Sequence, residues 1–157
     1  HGQQKDHTEE DGTIKNRFNM LLGWNENKKP TYGSYSYTNQ VMREIKVNED
    51  FNYSFIIMDF DFIENHNCDF SFSALENLSS SNTSLYFIAS HNSGSSWSVI
   101  DSIDSTNLTK DNKQTFTNVE NNLFVRSIRY GIVLVSDAKS ARIELDQFVV
   151  SNLSVEK

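Results

Sequence analysis

The sequence predicts an all-β protein, an antiparallel β-sandwich of jelly-roll type. Three observations carry that prediction. Apolar residues recur with period two in runs of strand length, the runs are separated by polar turns rich in Ser and Asn, and no long amphipathic helix pattern is sustained. The core material is equally plain: aromatics make up 12% of the 157 residues, with 11 Phe against six Tyr and two Trp. Rings and β-branched residues suit a pleated, half-buried surface.

Taken in order, residues 1–14, HGQQKDHTEEDGTI, are polar and aperiodic, and are expected to be a disordered leader or cleavage remnant. Residues 15–157 are expected to form a single β-sandwich domain. RFNMLLGWNENKKPTYGSYSY opens on an apolar cluster (Phe18, Met20, Leu21, Leu22, Trp24) and passes into a loop marked by Pro30 and Gly33. SYSYTNQVMREIKV admits a strand, although its NQVMREIKV part also admits a helix. FNYSFIIMDFDFI puts Phe51, Tyr53, Phe55 and Ile57 on one face and Ile56, Met58, Phe60 and Phe62 on the other, which predicts a strand covered on both sides. CDFSFSAL alternates cleanly, with Cys68, Phe70, Phe72 and Ala74 inward. SLYFIAS and SWSVIDSI flank a tight turn, and QTFTNV, NLFVRSIRYGIVLVS and ARIELDQFVVSNLSV supply the remaining strands. In the last of these the alternation slips after Leu145 and resumes at Phe148. That slip predicts a bulge near Asp146-Gln147.

Composition excludes several partners. The formal net charge is −7, and the densest basic patch is only Lys28-Lys29, so the chain repels phosphate backbones and nucleic acid is not an expected partner. No apolar run approaches the roughly 18 residues of a membrane span, and no membrane insertion is expected. The single cysteine, Cys68, permits no internal disulfide and no structural zinc site, and reads as a buried thiol. Sequons at Asn52, Asn77, Asn82, Asn107 and Asn152 are what chance supplies in a chain this rich in Asn and Ser.

The octet Ser90–Trp97, SHNSGSSW, resembles the Asp-box, S-x-D-x-G-x-S/T-W, with Asn92 where the family has Asp. Its chemistry suits a structural hairpin built on Ser90, Asn92, Gly94, Ser96 and Trp97. Asn92 bonds nearby backbone amides, Gly94 supplies a positive φ, and Trp97 folds back over the turn. One copy in a chain of this length excludes a sialidase propeller. Single Asp-box hairpins are found in jelly-roll sub-repeats of reelin-like extracellular proteins and in β-sandwich accessory modules of secreted bacterial proteins. Such modules end on an apolar-x-apolar-Asp-x-apolar strand, to which RIELDQFVVSNLSV is similar, with Asp146 at the acidic position. Over roughly residues 50–155, the resemblance implies a non-catalytic jelly roll in which calcium ties an early loop to the last strands.

Four groups carry candidate chemistry. Trp24, Tyr32, Tyr35 and Tyr37, with Asn39 beside them, are the expected glycan platform: sugar C–H faces stack on rings while amides bond hydroxyls. Asp59 and Asp61, on one side of a strand, with Glu64 and with Asp146 brought near by the fold, are the expected calcium ligands. Glu144-Leu145-Asp146 is similar to the E-x-D-x-x-E strand of laminarinase-type glycosidases, but Val149 stands where the acid/base carboxylate belongs. His1-Gly2 is similar to the start of copper monooxygenases, with His7, His66 or His91 as the second ligand. The hydrophilic residues that follow point instead to a tag or cleavage remnant.

The function expected is a non-enzymatic recognition module working outside the cell or on its surface, carbohydrate-binding first. The alternative is a structural or adhesion domain that binds protein, on a bacterial surface or in a viral or phage receptor-binding assembly. The oligomeric state stays open.

Overall fold

A computed structural model describes residues 4–8, 14–26, 38–46, 50–121 and 126–152, with the backbone alone for 4–8, 14–20, 38–39, 126 and 152. The period-two runs become strands β1 (Gln4–Thr8), β2 (Ile14–Trp24), β3 (Asn52–Ile63), β4 (His66–Ala74), β5 (Thr83–Ser90), β6 (Ser98–Asp104), β7 (Gln114–Glu120), β8 (Arg126–Ser136) and β9 (Ala141–Asn152). They form a five-stranded sheet in the order β1-β2-β9-β4-β7 and a four-stranded sheet in the order β3-β8-β5-β6. Every ladder is antiparallel. Apart from β1–β2 and β5–β6, each connection crosses from one sheet to the other. With β1 set aside, the orders 2-9-4-7 and 3-8-5-6 are those of a jelly roll, the architecture expected from the sequence.

The alternation decides the faces. β4 buries His66, Cys68, Phe70, Phe72 and Ala74 and leaves the residues between them half-exposed. These side chains, with Ile143, Leu145, Phe148 and Val150 of β9, meet Ile56 and Met58 of β3, Leu85, Phe87 and Ala89 of β5, and Ile128, Tyr130, Ile132 and Leu134 of β8. A chain of rings fills the gap between the sheets. Phe72–Phe116 (4.8 Å between centroids), Phe116–Phe87 (5.5 Å), Phe87–Tyr130 (5.5 Å) and Tyr130–Phe148 (5.7 Å) are successive contacts. Each pair adds about 0.5–1.5 kcal/mol beyond the burial of its area.

β3 is covered on both sides, as its sequence predicts. Its outer residues Phe55 and Ile57 join Ile88, Val133, Val135 and Trp97 under a helix, α1 (Thr38–Ile45), which buries Val41 and packs Met42 and Ile45 against them. The sequence admitted strand or helix here. The apolar outer face of the four-stranded sheet selects the helix, because residues 41, 42 and 45 share one helical face and cover it. Lys46 ends α1 at φ 57, its amide bonding the Met42 carbonyl at 2.9 Å.

The bulge near Asp146 is present: Ser71 pairs Gln147 and Phe72 pairs Leu145, which leaves Asp146 without a partner in the ladder. The leader is corrected in part. Residues 4–8 are a strand, not a disordered segment, and pair with 14–18 of β2. Main-chain ladder bonds form whatever the side chains, so a segment without apolar alternation can still pair as an edge strand.

Candidate functional site

The hairpin octet closes β5 onto β6. Asn92 Oδ1 accepts from the Ser96 amide at 3.0 Å and from Ser90 Oγ at 2.9 Å, while Asn92 Nδ2 donates to Ser96 Oγ at 2.7 Å. Ser90 Oγ also accepts from the Gly94 amide at 2.8 Å, and Gly94 sits at φ 87. Trp97 is buried in the cluster beneath α1. Three side chains, Ser90, Asn92 and Ser96, thus spend their polar groups on the turn, and the arrangement is scaffold.

Of the expected ring platform, Trp24 is the ring among the described residues. Trp24 is only 4% exposed, belongs to the core between the sheets, and donates Nε1–H to the Ala138 carbonyl at 2.9 Å. β2 continues to residue 24, so the indole is buried in the core and offers no face to a ligand. Tyr32, Tyr35 and Tyr37 lie outside the described residues. Asn39 is in the first turn of α1.

Of the expected calcium ligands, Asp59 and Asp61 meet on one arginine, whereas Asp146 lies on the other sheet and pairs with a lysine. Asp59 Oδ1 receives Arg129 Nε at 3.2 Å, and Asp61 Oδ1 receives Arg129 Nη1 at 3.1 Å and Ser127 Oγ at 3.0 Å. Asp146, on the other sheet, pairs with Lys113 Nζ at 2.7 Å. Glu64 lies exposed in the turn between β3 and β4, where its main-chain carbonyl bonds His66 Nδ1 at 2.8 Å. Among the described residues no three His, Cys, Asp or Glu side chains form a group that could hold a metal ion. Asp59, Asp61 and Asp146 each already pair with a cation of the chain itself, Arg129 or Lys113.

What the strand end does contain is a residue the alternation misplaces. Phe62, expected to point inward beside Phe60, is 83% exposed. The ladder between β3 and β8 pairs Phe60 with Ile128 and Ile63 with Arg126, so Asp61 and Phe62 together face Ser127 alone. This bulge turns the ring out of the core. Phe62 also holds φ 58, a left-handed backbone that a bulky residue rarely adopts and that costs about 1–3 kcal/mol. The exposed ring follows Asp61 in the chain, and Asp61 belongs to a row of paired polar groups: Asp59, Arg129, Asp61 and Ser127. Arg129 is 13% exposed at its side chain, against 50% for Asp59 and 61% for Asp61. The guanidinium lies low and the carboxylates stand above it. The only sequence signal for this site is the local density of acid and ring in MDFDFIE.

Beside this site a polar chain leads into the core. Buried His66 meets Tyr130 Oη through Nε2 at 2.6 Å, Asn118 Nδ2 donates to the same oxygen at 3.0 Å, and Glu120 Oε1 pairs with His91 Nε2 at 2.6 Å at the surface. Burial holds the His66 imidazole below its ordinary value, against the opposing pull of the Glu64 carbonyl and the Glu120 carboxylate. Burial also pushes the Cys68 thiol up to about 12, which makes it inert as a nucleophile. His66 is therefore a core residue and not a copper ligand.

No family model matches the chain, and no curated protein sequence matches it. Some solved structures are similar to the chain at TM-scores under 0.5. The xylan-binding module CBM15 is similar with a TM-score of 0.48 at 14% identity, over 87% of this chain and 98% of that one. TmCBM61, in complex with β-1,4-galactotriose, is similar with a TM-score of 0.47 at 8% identity, and the match covers 66% of this chain and 65% of that one. The CBM27-1 module of Caldicellulosiruptor saccharolyticus, in complex with mannohexaose, has a TM-score of 0.35 at 10% identity, over 96% of this chain and 80% of that one. These likenesses are of architecture and assign no residue.

Proposed function

We propose that the chain is a non-catalytic carbohydrate-binding module, acting outside the cell or on its surface, with the Phe62 ring as its sugar platform. One observation carries this reading: a bulge holds an aromatic ring 83% exposed, and the carboxylate of the residue that shares the bulge, Asp61, is itself held in place by Arg129. A sugar ring presents an apolar C–H face and a rim of hydroxyl donors. Phe62 suits the first, and the outward oxygens of Asp59 and Asp61 accept from the second. Arg129 fixes both carboxylates before any ligand arrives, so little freedom is lost on binding.

The protein-binding alternative calls for a broad apolar patch. Among the described residues the exposed large apolar side chains are Leu21, Phe62, Val99 and Val119, each on a different strand. Affinity electrophoresis and calorimetry against soluble polysaccharides test the assignment. Binding to at least one sugar class is expected, weakened about tenfold or more in Phe62→Ala, which is near the upper worth of one aromatic contact. A blank panel overturns the assignment and returns the chain to the protein-binding alternative, whereas binding indifferent to Phe62→Ala overturns Phe62 as the platform and places it elsewhere on the sandwich.

A further inference from the structure

We infer that the Asp59–Arg129–Asp61 clamp is the specificity determinant of the Phe62 site, admitting uncharged sugar rings and rejecting carboxylated ones. The inference rests on the sugar-binding reading above and adds to it the chemical class of the ligand. Proteins that hold a sugar carboxylate do so with a guanidinium fork, whose planar donors match two oxygens at once. A guanidinium stands within this site, yet its fork is occupied: Nε serves Asp59 and Nη1 serves Asp61. It is also the least accessible of the three side chains.

The face left to a ligand is the opposite of an anion site. Two carboxylates and one guanidinium sum to one negative charge, exposed Glu64 follows in the next turn, and the whole chain carries −7. Asp61 already accepts from Ser127 and Arg129 on Oδ1, so its Oδ2 is the oxygen turned toward a hydroxyl donor. A uronic or sialic acid stacked on Phe62 brings its own carboxylate against these like charges. A neutral ring brings only hydroxyls.

The test uses matched pairs of oligosaccharides that differ in the carboxylate alone: gluco- against glucurono-, and galacto- against galacturono-. Each is titrated calorimetrically at low and high salt into the full chain, Phe62→Ala, Asp61→Asn and the double variant Asp59→Asn with Asp61→Asn. For wild type the acidic member of any bound pair is expected to bind at least about tenfold more weakly, with the gap narrowing in high salt. The double variant, which releases the fork and removes both like charges, is expected to close the gap to within about threefold or invert it. Asp61→Asn alone keeps an oxygen acceptor in place and is expected to fall between, which guards against a double variant that folds poorly. Acidic and neutral members bound equally by wild type, or a gap unmoved by both Asn variants, overturns the inference while leaving the module reading intact. If neither member of any pair binds, the module reading falls and takes this one with it.

Discussion

His66 and Tyr130 share a 2.6 Å hydrogen bond that joins the two sheets through the core, β4 contributing the imidazole and β8 the phenol. The Glu64 carbonyl can only accept, so Nδ1 carries the proton and Nε2 accepts from the phenol. The neutral tautomer is what the fold requires, and folding holds the His66 pKa below its unfolded value near 6.5. Above that value both states are neutral and nothing is lost. As the pH falls below it, the unfolded chain takes a proton that the folded chain does not, so stability declines until the lower folded pKa is reached. Its slope is at most about 1.4 kcal/mol per pH unit for one site. Urea unfolding across mildly acidic pH checks this, with His66→Gln as the control that lacks this part of the slope. An identical slope in that variant rules out His66 as its source.

A second bridge between the sheets rests on a glycine. Gly23, at φ 120, donates its amide to Ser54 Oγ at 3.0 Å, and a Cβ built there falls 1.8 Å from the Ala141 carbonyl oxygen. Since that obstacle is backbone, Gly23→Ala is expected to cost at least about 2 kcal/mol. Ser54→Ala strands a buried amide and is expected to cost about 1–3 kcal/mol. Both are read from denaturant midpoints at unchanged m-value. A neutral Gly23→Ala means that β2 and β9 part at this point more easily than their ladder implies.

At the hairpin, Asn92 offers two acceptor bonds and one donor bond. Asn92→Ala is expected to lose about 1–2 kcal/mol, the worth of a structural cap. Asn92→Asp keeps both acceptor bonds and lets Ser96 Oγ reverse its role as donor, so it is expected to stay within about 0.5 kcal/mol of wild type. Equal losses in the two variants indicate that the Asn92 amide donor, rather than its oxygen, holds the turn.

The sequence makes the jelly roll legible wherever side chains must alternate against a core. Cys68, Phe70, Phe72 and Ala74 announce β4, the slip after Leu145 announces the bulge at Asp146, and the doubly apolar β3 announces a cover that turns out to be α1. Features held by main-chain bonds or by long-range register are silent. β1 needs no apolar face, and the Arg129 clamp exists only because Asp59 lies opposite residue 129 across the ladder. Trp24 misleads because a ring next to a polar loop reads the same whether it ends a buried strand or begins an exposed platform. For Phe62 the alternation gives the wrong face, since the bulge at Asp61-Phe62 falls on the last pair of a regular pattern and no Gly or Asn marks the positive φ.

Phe62 therefore permits a separation of stability from function. Its ring is almost wholly in solvent, so deleting it forfeits little buried area, whereas its φ of 58 is one that glycine adopts freely. Relief of that strain, worth about 1–3 kcal/mol, outweighs the roughly 0.5–1 kcal/mol of added unfolded-state freedom that glycine brings. Phe62→Gly is thus expected to hold or raise the thermal midpoint while weakening sugar binding about tenfold or more, the opposite of what a packing residue does. The measurement is one melting curve and one titration on the same preparation. A midpoint lowered by several degrees marks Phe62 as a packing residue after all. A raised midpoint with binding intact leaves the strain real but moves the sugar platform elsewhere on the sandwich.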